Sequence, residues 1–161
     1  FAALPGAPQA TLLGTGKLAG MLGTASAAWR YSRSVAIPWG VVGPAAAVAF
    51  GAALAGAVTV THVPPDVFRP LVPVLLTAVL GYTLWRRDLG AAHAPRALGT
   101  GARLGAAGLV AAIGFYDGFF GPGTGSFFTT SLVALRGYGL TKATALTKLF
   151  NWTSNIASVL L

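Results

Sequence analysis

No cysteine occurs among the 161 residues, which removes disulfide frameworks and thiolate metal sites. Acidic residues are almost as scarce: Asp66, Asp88 and Asp117 are the full set, and there is no glutamate. Three scattered carboxylates supply neither the paired acids of a hydrolase nor an oxygen cage for a metal. The two histidines, His62 and His93, fall far apart in loop-like stretches, so a histidine metal centre or acid–base site is not expected. No Ser-His-Asp set is apparent, and no catalytic residues, cofactor or metal are expected. Charge as a whole is thin at 9% of residues, against about 25% in ordinary soluble domains. A chain that is 55% hydrophobic, with a mean hydropathy of +0.71, has too little polar surface to dissolve as a globule. The composition is that of an integral membrane protein, with the lipid bilayer as its surroundings.

Basic residues outnumber acidic ones, giving a net charge of +8. They form no patch that would suit a nucleic acid. They gather in short loops between apolar runs, as in membrane proteins that keep Lys and Arg on the cytoplasmic side. Spanning segments need ~20 apolar residues. The sequence predicts helices over about Pro8–Trp29, Val35–Val60 and Val67–Trp85, and from Leu140 to the last residue. A further apolar region runs from Leu104 to Leu135. Arg30 and Arg33 follow the first helix, and Arg86, Arg87, Arg96 and Arg103 follow the third. These loops are expected inside, and THVPPD outside. Close helix packing is expected at Gly16/Gly20, Gly101/Gly105 and Gly114/Gly118.

The region Leu104–Leu135 is about 48 Å long as continuous helix, too long for one span and too short for two. It contains GFYDGFFGPGTGSFF, with a carboxylate, a proline and five glycines. Arg136 and Lys142 follow it, so both ends are cytoplasmic by charge. The expectation is a re-entrant hairpin that turns at Gly121-Pro122-Gly123 and returns with a second arm beginning near Thr124 or Gly125.

A repeat is also visible. Leu4, Gly6, Lys17 and Leu18 match Leu135, Gly137, Lys148 and Leu149 at one fixed offset. With three crossings between them, the copies run in opposite directions, the plan of inverted-repeat transporters. The fold class expected is therefore an all-α membrane protein with inverted repeats and a broken hairpin. Residues 1–86 are read as a partial first repeat, 87–103 as a cytoplasmic linker and 104–161 as a partial second repeat, in a chain truncated at both ends.

Lys17 and Lys148 are the first site candidates, because a lysine inside a membrane helix costs at least ~2.5 kcal/mol and invites a function. Thr144, Lys148, Asn151 and Asn155 share one helix face, flanked by Thr147 and Ser154. Such a stripe faces either a cavity or a partner helix. The turn is the next candidate. A half-helix N-terminus near Gly123, Thr124 and Gly125 offers backbone N–H groups to an anion, with Thr124 and Ser126 adding hydroxyls. These donors with a nearby lysine suit a small oxyanion such as a sulfur oxyanion or sulfonate. Asp117 can carry a coupling proton, balance a lysine or cap the helix break. GTGK at Gly14–Lys17 lacks the spacing of a phosphate loop, and GPGTGS lacks the strand that a dinucleotide fingerprint needs.

The run GFYDGFFGPGTGSFF followed by KATALTKLFNWTSNIASVLL resembles the second-repeat signature of the TauE/SafE permeases, the sulfite exporter or toluene-sulfonate uptake family. GTGKLAGMLGTASAAWRYSR is similar to that family's first-repeat segment, except that Gly16 stands where Asn is usual. The resemblance extends from about Leu4 to Leu161. It implies a multi-pass secondary transporter of the bacterial inner membrane that moves sulfite, sulfoacetate, sulfonates or related organic anions by alternating access. It places the second-repeat motif on Asp117, Gly121 to Ser126, Thr147, Lys148 and Asn151, and the first-repeat lysine on Lys17. An anion channel, a permease for non-sulfur anions and a membrane subunit that needs a partner are the other readings, and a homo-oligomeric state is left open.

Overall fold

The computed structural model describes residues 9–85 and 93–160. Among these residues every regular element is a helix: α1 (Gln9–Ser34), α2 (Trp39–Thr61), α3 (Pro65–Trp85), α4 (Thr100–Phe119), α5 (Thr124–Arg136) and α6 (Leu140–Val159). The chain is all-α, as expected from its composition. The repeat matches at Leu4 and Gly6 and the linker arginines Arg86 and Arg87 lie outside the described residues.

Helix ends follow local chemistry. α2 starts at Trp39 rather than Val35, because Pro38 occupies its N-cap position. Pro44 is accommodated inside α2, close to the start, where the helix has few backbone bonds to lose. α1 continues past Trp29 to Ser34, carrying Arg30 and Arg33 as part of the helix rather than as a loop. Glycine closes α5: Gly137 takes a left-handed conformation and gives its N–H to Val133 O at 3.0 Å. By length and apolarity together, α2 is the one described helix that qualifies by itself as a bilayer span. The others are diluted by Gly, Thr and Lys, or interrupted by proline.

The apolar region Leu104–Leu135 is broken as the length argument required. α4 and α5 are separated by Phe120 to Gly123. The two arms fold back on each other, and their outer ends are clasped together. Ala94 donates its N–H to Gly137 O, and Arg96 donates to Arg136 O, both at 2.8 Å. His93 Nδ1 accepts the Gly139 N–H at 2.8 Å. The residue entering α4 and the residue leaving α5 therefore lie on the same side of the molecule, which is the defining property of a hairpin.

Two contacts hold this hairpin in the bundle. On one side α4 lies against α2 with almost no side-chain spacer. A Cβ at Gly114 would sit 2.7 Å from Ala49 O, and one at Gly118 would strike Ala53 O. Gly56 on α2 meets Phe115 O in the same way. Of the three small-residue pairs expected to pack closely, Gly114/Gly118 does so. Gly20 faces Asn155, while Gly16, Gly101 and Gly105 face open space among the described residues. On the other side α5 packs on α6, where Phe128, Leu146 and Phe150 join Val42, Ala49 and Ile113 in the main buried cluster. A smaller cluster of Val60 and Phe120, with Val72 and Leu75 against it, fastens α3 to the hairpin tip.

α1 packs along α6. Their meeting point includes Thr24 and Asn155, with Asn155 Nδ2 3.5 Å from Thr24 Oγ1. These two residues are 131 positions apart, the same offset that relates Lys17 to Lys148. Equivalent positions of the two similar segments thus touch each other.

Candidate functional site

The tip of the hairpin is built from glycine. Gly121 and Gly123 have φ of +93° and +83°, a region that L-residues with a side chain rarely adopt. Neither has room for a Cβ either: at Gly121 it would meet Lys17 Nζ at 2.8 Å, and at Gly123 it would strike Val79. Tyr116 braces the turn by donating its hydroxyl to Pro122 O at 2.7 Å. α5 then begins at Thr124 with Gly123 at its N-cap position. The Thr124 N–H bonds to Gly121 O, and the Ser126 N–H to Gly123 O. The N–H groups of Gly123 and Gly125 have no acceptor among the described residues. They are the free donors of a helix start.

Asp117, in the last turn of α4, is 4% exposed and is the centre of the polar cluster. Its Oδ1 forms an ion pair with Lys17 Nζ at 2.7 Å, and the same ammonium also donates to Asp117 O. The Thr124 hydroxyl, whose closer acceptor is Gly121 O at 2.5 Å, also lies 3.2 Å from Oδ1, and Ser154 donates to Oδ2. One carboxylate therefore joins α1, both arms of the hairpin and α6. Lysine charge-balancing, one of three roles open from the sequence, is what the geometry displays for this residue. Lys17 and Asp117 side chains are 11% and 5% exposed. The pair is thus shielded, and removing one partner would strand the other charge.

α6 supplies the next group. Thr147 is buried and spends its hydroxyl on Thr129 of α5, at 3.0 Å. That is the partner-helix reading of the polar stripe. One turn on, Asn151 reaches the start of α5: its Nδ2 is 3.3 Å from where a Gly125 Cβ would be. Asn151 Oδ1 is buried and has no hydrogen-bond partner among the described residues. An orphaned buried amide atom is uncommon in folded proteins. Lys148 is half-buried and has no hydrogen-bond or ion-pair partner among the described residues.

The structure thus brings Lys17, Asp117, Gly123, Thr124, Gly125, Thr147 and Asn151 to the neighbourhood of one turn. Ser126 is half-buried in the first turn of α5. Ser154 flanked the polar stripe in the sequence, but its bond to Asp117 was not foreseen. Thr24, Tyr116 and Val79 were not singled out either. Thr24 was within reach, since carrying the repeat alignment seven residues past Lys17 pairs it with Asn155. His93, in a loop as read, accepts the Gly139 backbone N–H through its ring Nδ1.

The profile of the family described as Sulfite exporter TauE/SafE matches residues 1–161. The chain belongs to the TauE/SafE family. It is 38% identical over 155 residues to "Probable membrane transporter protein ORF9" of Sinorhizobium sp, a match covering 96% of this chain and 59% of that protein. It is 38% identical over 157 residues to "Probable membrane transporter protein YfcA" of Escherichia coli K12, covering 97% and 57%. A "Probable membrane transporter protein" of Haemophilus influenzae is 36% identical over 161 residues, covering 96% and 60%. The chain spans less than two thirds of the length of these relatives. No solved structure matches it. A membrane location agrees with these relatives and with the apolar outer surfaces of α2 and α3, where Val41, Val48, Val74 and Leu80 are exposed.

Proposed function

We propose that this TauE/SafE chain is the larger part of a secondary-active carrier in the bacterial inner membrane. It crosses the bilayer several times and moves a small oxyanion by alternating access, with sulfite, sulfoacetate and sulfonates as the candidate substrates. Residues 1–86 and 104–161 are partial inverted repeats about a two-fold axis near Thr24 and Asn155, joined by a cytoplasmic linker at 87–103. The single observation that supports the reading best is the hairpin tip. There the free N–H of Gly125, at the positive end of α5, adjoins a buried Asn151 amide whose Oδ1 lacks a partner. A helix start with unpaired N–H groups favours negative charge. An amide flip exchanges oxygen and nitrogen, so the orphan position of Asn151 can also offer a donor pair.

Gly123, Gly125 and Ser126 would cradle the oxyanion, with Asn151 and Thr147 lining its other side. Lys17 and Lys148 would set the preference for anions. Lys17 uses two of its three N–H donors on Asp117, so the third is left for substrate. A proton taken up by Asp117 would end the ion pair and free the full charge of Lys17 for the anion. Proton and anion fluxes would thereby be linked. An Asp117→Asn variant that still transported with full dependence on the pH gradient would remove that coupling role.

The test of function is uptake of radiolabelled sulfite by the full-length protein in proteoliposomes, with sulfonates and carboxylates as competitors, beside an Asn151→Ala variant. Saturable uptake with counterflow that falls at least ~10-fold in the variant is expected, since each buried hydrogen bond to a charged group is worth about 1.5–3 kcal/mol. Flux without saturation or counterflow would make the protein a channel. Uptake of carboxylates in place of sulfur anions would keep the carrier and change the substrate.

A further inference from the structure

We propose that Lys148 is held in the full-length protein by a second buried carboxylate. Its source would be a helical hairpin, preceding α1, that docks on the uncovered face of that helix. The inference starts from an asymmetry. α1 and α6 are related by one offset, and their equivalent residues Thr24 and Asn155 meet. Lys17 and Lys148 are mates under that offset, yet they are treated differently. Lys17 has Asp117, delivered by the hairpin that precedes α6. Lys148 has no partner among the described residues.

The surroundings of the two lysines differ in the same sense. On α6, the residues that meet the hairpin are Thr147, Asn151 and Ser154. Subtracting the offset gives Gly16, Gly20 and Gly23 on α1. Gly16 and Gly23 have nothing within 4 Å of a Cβ position, and Gly20 touches Asn155 of α6. Leu18 and Leu22, on the same helix, are 47% and 68% exposed. On the face of α1 that corresponds to the hairpin-covered face of α6, Gly16 and Gly23 are therefore uncovered by any described residue. These are glycines that would let another backbone come close, as Gly114 and Gly118 let α4 approach α2.

Two-fold symmetry turns the vacancy into a position. Asp117 sits between Lys17 on α1 and Ser154 on α6. Its mate would sit between Lys148 on α6 and Gly23 on α1; among the described residues Lys148 has no polar partner and Gly23 has nothing against it. The offset sets that mate about 15 residues before Phe1. The relatives have chain to spare for it, since this chain covers 59% or less of the ORF9 and YfcA proteins. The carrier would then hold two lysine–carboxylate pairs, one on each side of the axis, instead of one pair and one bare cation.

The inference rests on the two-repeat organisation proposed above and not on the identity of the substrate, so its test reads folding rather than flux. In full-length protein, the Asp or Glu within one helical turn of the mate position would be changed to its amide, and Lys148→Met made alone and with it. Each single change is expected to lower Tm by about 10 °C, because it strands a buried charge. The double variant is expected to lose less than the two singles together. Strictly additive losses would overturn the proposal, and so would the absence of any acidic residue in that turn. Should a variant fail to accumulate, maleimide labelling of Gly23→Cys, in protein freed of any other cysteine, gives an independent reading. Blocked labelling in the folded protein is expected, and ready labelling would overturn the covering hairpin.

Discussion

Asp117 shows how much organisation a single side chain can carry when polar groups are rare. It accepts from Lys17, Thr124 and Ser154 and so ties three parts of the chain to one point. In an apolar interior such a pair is weak evidence of net stability, yet breaking it from one side costs about 3–5 kcal/mol. Lys17→Met and Asp117→Asn are each expected to lose that much in urea unfolding of the detergent-solubilised protein. The double variant is expected to lose clearly less than the sum. Ser154→Ala removes one hydrogen bond to a charged group and should cost about 1.5–3 kcal/mol in the same assay. At this scale the sequence was informative about residue type but not about pairing. A carboxylate and a lysine inside apolar runs are legible because they are expensive there. Which lysine meets Asp117 was not legible, because Lys17 lies 100 positions away and only the packing of α1 against the hairpin decides it. Thr147 was read as a substrate ligand, and the structure adds a contact of its hydroxyl with Thr129 on α5. The stripe pattern alone does not tell a cavity from a neighbouring helix.

Elements were easier to read than contacts. The broken hairpin followed from length, charge and the glycines at its turn, and the structure adds the backbone clasp at His93–Arg96 that closes its base. Register between helices was less accessible. Three glycine pairs had the right spacing for close packing, but spacing is a local property, and Gly101/Gly105 faces nothing among the described residues. The difference is testable. Gly118→Ala would drive a methyl into Ala53 O of α2, and the full-length protein is expected to lose several kcal/mol or fail to accumulate. Gly101→Ala has room and stays in a helix, so it is expected to be neutral or to gain up to about 1 kcal/mol. Gly123→Ala combines a positive φ with the contact to Val79, and should destabilise by more than the 1–2 kcal/mol of the backbone term alone. Paired unfolding curves of the three variants check this order.

At the scale of the whole molecule, three tryptophans mark one rim. Trp29 lies near the end of α1, Trp39 at the start of α2 and Trp85 at the end of α3, and they are 62%, 62% and 80% exposed. Arg33 lays its guanidinium 4.6 Å over the Trp29 ring. We propose that this rim is a membrane interface on the cytoplasmic side, because aromatic rings with adjacent arginines favour an interface and the positive-inside rule favours the cytoplasm. Each of the three, kept in turn as the sole tryptophan, should be quenched best by lipids carrying bromine high on the acyl chain. Trp152, within α6, should be quenched weakly or by deeper bromines. Equal depth for all four would contradict the assigned rim. On the same reading the hairpin would reach inward from that side, since its clasped base carries Arg96 and Arg136. With the base pinned at the clasp and the tip packed on α3 through Phe120 and Gly123, the two arms cannot scissor apart, and any swing of the tip would carry that part of α3 with it. α5 is a lever arm about 20 Å long. A tilt of about 5° at the base would carry the tip through nearly 2 Å, enough to lengthen the Lys17–Asp117 contact beyond bonding distance. The clasp would act as a pivot, turning small rocking at the membrane edge into the making and breaking of one ion pair at its centre.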